Sequence, residues 1–152
     1  MELDAMTDTA TPMVDSCPFC AIARHEAPAS IVHEDALTMA FVGFRQFNPG
    51  HVLVIPRAHF HDVGELDAPT GAALMATVAR ITRAVGRAFP IEGIRLWRSI
   101  GPAAWRGVPH LHIHVHPRRT GDGMLEVYPD TPPTPARDVL DAYAAQLRRH
   151  LD

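Results

Sequence analysis

The 152-residue chain is long enough for one ordinary domain with a real core. With 47% hydrophobic and 20% charged residues it is not a disordered chain, and a net charge of −3 excludes a general nucleic-acid binder driven by phosphate neutralisation. No apolar run approaches membrane-spanning length, and the first residues lack the basic and apolar regions of a signal peptide, so a cytoplasmic enzyme is the expectation.

Residues 1–15 carry no periodicity and read as a disordered tail. A short helix is predicted from Ser16 or Cys17 to about His25, with Pro18 tolerated in its first turn. Ile31–Glu34 and Leu37–Phe41 read as two strands joined tightly near Asp35, and Gly43 to Gly50 as loop. His51–Ile55 is a third strand, apolar on both faces and stopped by Pro56, so each face needs a cover. The strongest helix runs from about Pro69 to Arg87, with Asp67 or Thr70 near its start and Leu74, Val78, Ile81 and Val85 as its stripe. Ile94–Arg98 and His110–His116 complete the strands, separated by a loop from Gly101 to Gly107. Residues 120–152 read as a linker with Pro129, Pro132, Pro133 and Pro135, then a helix capped by Thr134. The sum is an α+β domain over 16–119 with an appended C-terminal segment.

The only two cysteines stand in Cys17-Pro18-Phe19-Cys20. A disulfide there closes too small a loop to stabilise much, and no strand precedes the pair as in a thioredoxin-type motif. Half of a zinc site and two unconnected thiols both remain open on the motif alone.

Four histidines alternate with apolar residues in His110-Leu111-His112-Ile113-His114-Val115-His116. On a strand they project from one face, roughly 6.7 Å apart. That suits nucleophilic or acid–base chemistry, or metal binding with outside ligands, since neighbours so spaced do not reach one tetrahedral ion.

Together with His51-Val52-Leu53-Val54-Ile55-Pro56-Arg57-Ala58-His59 and the cysteine pair, this stretch resembles the histidine-triad (HIT) family over residues 16–119. The resemblance implies a five-stranded antiparallel sheet with one long helix and shorter terminal helices, commonly paired into a homodimer. It also implies hydrolysis, or less readily transfer, of nucleoside monophosphates from phosphoesters, phosphoramidates and phosphoanhydrides. The nucleophile would be His112, which forms a nucleotidyl-imidazole intermediate, with His114 beside the phosphate and His51 completing the network. Gly107 and Val108 would offer backbone amides to phosphate oxygens. By the same resemblance Cys17, Cys20, His59 and His110 would hold a structural Zn2+, with His61 a second-choice ligand or simply solvated. His116 falls outside the triad and reads best as a buried, satisfied side chain.

Departures from the family pattern bear on the substrate. Gly43 stands where many members carry an acid that holds the ribose hydroxyls, and glycine has no side chain to accept them. Phe41 and Phe44 can line a base pocket or serve as core. Ser99 replaces the usual asparagine at the phosphate. Arg106 brings a permanent cation to the loop before the triad, either to clamp an anion or to face solvent. A non-catalytic nucleotide or phosphate sensor on the same fold is the alternative these changes suggest. The expected partner is a nucleotide or phosphate-ester small molecule, with no membrane role and no general nucleic-acid binding.

Overall fold

The computed structural model describes residues 15–104, 107–124 and 131–152. The tail over 1–14, Trp105 and Arg106, and linker residues 125–130 lie outside the described residues, and with them the expectations placed on Arg106 and most of the tail.

The element order is α1 (Pro18–Ala23), β1 (Ile31–Glu34), β2 (Thr38–Val42), β3 (Val52–Pro56), α2 (Ala68–Ala88), β4 (Gly93–Trp97), β5 (Ile113–Arg118) and α3 (Arg137–Arg148). The strands form one five-stranded sheet in the order β1-β2-β3-β5-β4, every pairing antiparallel. Two compact units are present: one ends at Asp122, and the other, from Gly123 onward, contains α3. Within that second unit Val139, Tyr143 and Leu147 of α3 are exposed.

α1 opens on Cys17, whose Sγ accepts from the Cys20 amide at 3.4 Å, and Pro18 occupies the first turn, where its missing N–H costs nothing. The helix is shorter than the expected run to His25, because His25 adopts a left-handed φ of 61° just beyond it. α2 is capped by Asp67, whose carboxylate accepts from the Thr70 amide at 2.8 Å.

The two apolar faces of β3 are both covered. Val52 and Val54, with Ala40 and Val115, pack against Leu74, Val78, Ile81 and Val85 of α2. Leu53 and Ile55, with Met39 and Phe41, pack against Phe19 and Ile22 of α1. Each of these buried aliphatic chains contributes on the order of 1.5–3 kcal/mol.

Several other expected boundaries shift. β5 begins at Ile113, not His110: His110 is drawn out of the ladder, while the Leu111 amide donates to the carbonyl of Phe60 at 2.7 Å. β3 starts after His51 and takes in Pro56. α3 starts at Arg137 behind Ala136, so Thr134 does not cap it. No helix among the described residues is long and apolar enough to cross a membrane.

Candidate active site

The α1 face of the sheet gathers two clusters of chemistry-bearing side chains. At the first, Cys17, Cys20, His59 and His110 are all buried, and their ligand atoms lie within 4.8 Å of one another. Cys17 Sγ is 3.4 Å from His110 Nδ1, Cys20 Sγ is 3.5 Å from the same atom, and Cys20 Sγ is 3.3 Å from His59 Nδ1. Corners of a tetrahedron around zinc with two sulfurs and two nitrogens are about 3.3–3.8 Å apart, so these distances fit that ion. The orientation of His110 fits as well. Its Nε2–H donates to the Pro56 carbonyl at 2.9 Å, which leaves the Nδ1 lone pair facing the sulfurs. His61 does not join this group; it is exposed and its Nδ1 lies 3.4 Å from Glu65.

The second cluster is a chain of imidazoles. His112 Nδ1 is 2.6 Å from the carbonyl of His110, and a carbonyl can only accept, so the proton sits on Nδ1 and Nε2 carries the lone pair. His51 Nδ1 likewise donates to the Arg45 carbonyl at 3.2 Å, which makes His51 Nε2 an acceptor. His114 Nδ1, 2.9 Å away, must then be its donor, and His114 Nε2 is left with a lone pair as well. Burial pushes all of these rings toward the neutral form. The pKa of His112 is lowered by desolvation, partly opposed by its bond to the His110 carbonyl. That of His114 falls to about 3, first through desolvation and then through the neighbouring histidines. A neutral imidazole with a free Nε2 is a competent nucleophile.

His116 is buried as expected, but it is packed against the imidazole network. The β3–β5 register pairs Val52 with Val115, so the next step sets His51 against His116. Their rings stack, centroids 3.7 Å apart and planes 14° off parallel, and His116 Nδ1 has no hydrogen-bond partner among the described residues. His51, His114 and His116 bring their ligand atoms within 4.8 Å, but their rings stand within 22° of parallel. Lone pairs lie in the ring planes, so three near-parallel rings do not converge on one ion.

Gly43 has a second role beside its missing carboxylate. A Cβ there would come 2.9 Å from His51 Nδ1, so only glycine leaves His51 its place. Gln46 locks the same corner: its Nε2 donates to the carbonyls of Gly43 and His51, and its Oε1 accepts from the amides of Gly50 and His51.

The proposed binding residues divide. Phe41 is fully buried, edge-on to Phe19 at 5.4 Å between centroids, and belongs to the core rather than to a base pocket. Phe44 is 73% exposed. Ser99 is half-buried in the segment after β4; Gly107 is exposed and Val108 packs beside the α1 cluster. Sequence reasoning missed Arg98 and Asp62. The side chain of Arg98 is 7% exposed, and its Nη2 donates to Asp62 Oδ1 and to the His61 carbonyl, each at 3.0 Å. Its Nη1 lies 3.3 Å from Nδ1 and 3.5 Å from Nε2 of His112. The only local signal was an arginine one residue past a strand that ends beside the triad.

Residues 24–121 match the HIT domain family, and the chain belongs to it. It is 37% identical over 108 residues to an uncharacterised HIT-like protein of Mycobacterium tuberculosis, covering 71% of this chain and 75% of that one. It is 31% identical over 121 residues to the adenosine 5'-monophosphoramidase hnt1 of Schizosaccharomyces pombe, covering 79% and 88%. Among solved structures, a HIT family protein from Bacillus subtilis superposes with a TM-score of 0.84 at 29% identity, over 91% of this chain and 99% of that one. A zinc-bound histidine triad family protein from Mycobacterium smegmatis gives 0.66 at 35% identity, over 90% and 98%.

Proposed function

We propose that the protein hydrolyses a nucleoside-monophosphate ester, anhydride or phosphoramidate through a covalent nucleotidyl-His112 intermediate. The observation that carries this reading is the 2.6 Å bond from His112 Nδ1–H to the His110 carbonyl, which frees Nε2 for attack. In the first step Nε2 bonds to the α-phosphorus and the bond to the leaving group breaks. In the second, water attacks the same phosphorus, the N–P bond breaks, and the nucleoside monophosphate leaves. The leaving group takes a proton from solvent as it departs, and in the second step the neutral His114 Nε2 takes a proton from the attacking water and returns it to solvent. His51 holds His114 in the tautomer this requires. The amides of Gly107 and Val108, and Ser99, are assigned to the phosphate, and Arg106 to clamping a further phosphate or carboxylate.

Cys17, Cys20, His59 and His110 are assigned to a structural zinc, which supplies no step of the reaction but ties α1 to the segment that carries His112. The zinc-bound relative from Mycobacterium smegmatis supports this reading. We further assign the protein to a homodimer and to the cytoplasm; the outer edge of β4, at the end of the sheet, supports pairing with a second copy.

The test is chemical trapping. Rapid acid quench with an adenosine phosphoramidate labelled in the phosphate is expected to leave one adenylyl group on His112. Binding of that compound without turnover or label would instead establish a sensor.

A further inference from the structure

Arg98 sits where it can do more than brace the fold. Its Nη1 is almost equidistant from the two nitrogens of the His112 ring, at 3.3 and 3.5 Å. An in-plane approach at those distances would drive Nη1 into Cε1, so the guanidinium lies over the face of the ring. Nδ1 is engaged with the His110 carbonyl, and the in-plane lone pair of Nε2 stays open to a substrate while Nη1 rests against the ring. Nη2 is held by Asp62 Oδ1 and the His61 carbonyl, so the fork cannot swing away. Asp62 itself stands at the start of the short helical turn Val63–Glu65, just beyond the His59 ligand position. The arrangement places a fixed, largely desolvated cation beside Nε2.

We propose that Arg98, clamped by Asp62, binds the non-bridging oxygens of the substrate phosphate that His112 attacks. This rests on the reading of His112 as the nucleophile. A phosphorus in line with Nε2 at about 3–3.5 Å carries one non-bridging oxygen on the guanidinium's side of the ring. A cation there neutralises the phosphate as the negatively charged transition state forms, and a guanidinium does so without giving up its proton. Asp62 is a positioning residue: it holds the fork and meets no substrate.

The experiment compares binding of AMP with binding of adenosine, which differ only in the phosphate, by calorimetry on the full-length protein. Wild type is expected to prefer AMP, and Arg98→Gln/Asp62→Asn to lose about 10–100-fold of that preference while its affinity for adenosine holds. The double substitution avoids leaving the half-buried Asp62 carboxylate without its cation. Arg98→Lys, which keeps the charge and the pairing, is expected to retain part of the preference. An equal AMP-to-adenosine ratio in wild type and a folded variant overturns the proposal, and so does a wild type without preference for AMP. Failure of the His112 label with the AMP preference intact overturns the nucleophile reading and leaves Arg98 as a phosphate ligand.

Discussion

The imidazole of His116 lies flat on that of His51, with centroids 3.7 Å apart, while Gly43 leaves less than a methyl group of space behind the His51 ring. Two positions, one close to His51 in the chain and one on a neighbouring strand, thus hold its ring in place. The pairing gives Gly43 a reason that a missing ribose ligand alone does not supply.

Restoring an acid at position 43 is therefore expected to fail by itself. Gly43→Asp puts a Cβ 2.9 Å from His51 Nδ1, and overpacking of this kind costs about 1–3 kcal/mol. Turnover is expected to drop with stability, and discrimination between ribo- and 2'-deoxyribonucleotide substrates to stay low in wild type. Thermal denaturation and paired kcat/KM values measure both. Strong wild-type dependence on the ribose hydroxyls would contradict this account of Gly43.

His112→Asn is expected to lower kcat by on the order of 10³-fold or more while nucleotide affinity changes little, because the side chain forms its decisive bond only during reaction. Steady-state kinetics with a phosphoramidate, alongside calorimetric binding, separates the two quantities. Residual activity within tenfold of wild type would remove His112 from the nucleophile's role.

The four-ligand cluster predicts about one zinc per chain, read by elemental analysis of protein purified without chelator. Cys17→Ser/Cys20→Ser is expected to lose the metal and to lower the melting temperature, with α1 loosened first, as seen by hydrogen exchange. Full retention of zinc by that variant would place the ion elsewhere.

Acid sensitivity follows from the buried rings. In the fold, the pKa of His114 lies at about 3 and that of His116 at about 4, both lowered chiefly by desolvation. Both sit below the unfolded value of about 6.5. The unfolded chain therefore binds protons first as pH falls, and stability present above pH ~6.5 is lost on the way down to pH ~3–4. His116→Asn is expected to make this slope shallower by up to one proton, about 1.4 kcal/mol per pH unit. Urea denaturation at pH 7.5, 6 and 5 measures it; an unchanged slope would mean that His116 is protonated in the fold.

Much of this was legible along the chain. Asp67 and Pro69 announced α2, the Leu74–Val85 stripe its buried face, and the alternation around His114 a strand, because capping and side-chain periodicity are local properties. The residue types of the two clusters were legible for the same reason: Cys17, Cys20, His59, His110 and the imidazoles His51, His112 and His114 each carry their chemistry in the side chain itself. What the tertiary structure decided was which of them meet, and how each is protonated. The carbonyls of His110, Pro56 and Arg45 set the tautomers, and no sequence pattern marks a backbone carbonyl as a partner. Strand register brought His116 onto His51, and burial put Phe41, open between pocket and core, in the core. Arg98 reached His112 only because Asp62, 36 positions away, turns its guanidinium inward. Spacing along the chain reports local geometry, whereas contacts across the sheet depend on packing that forms only when the chain has folded.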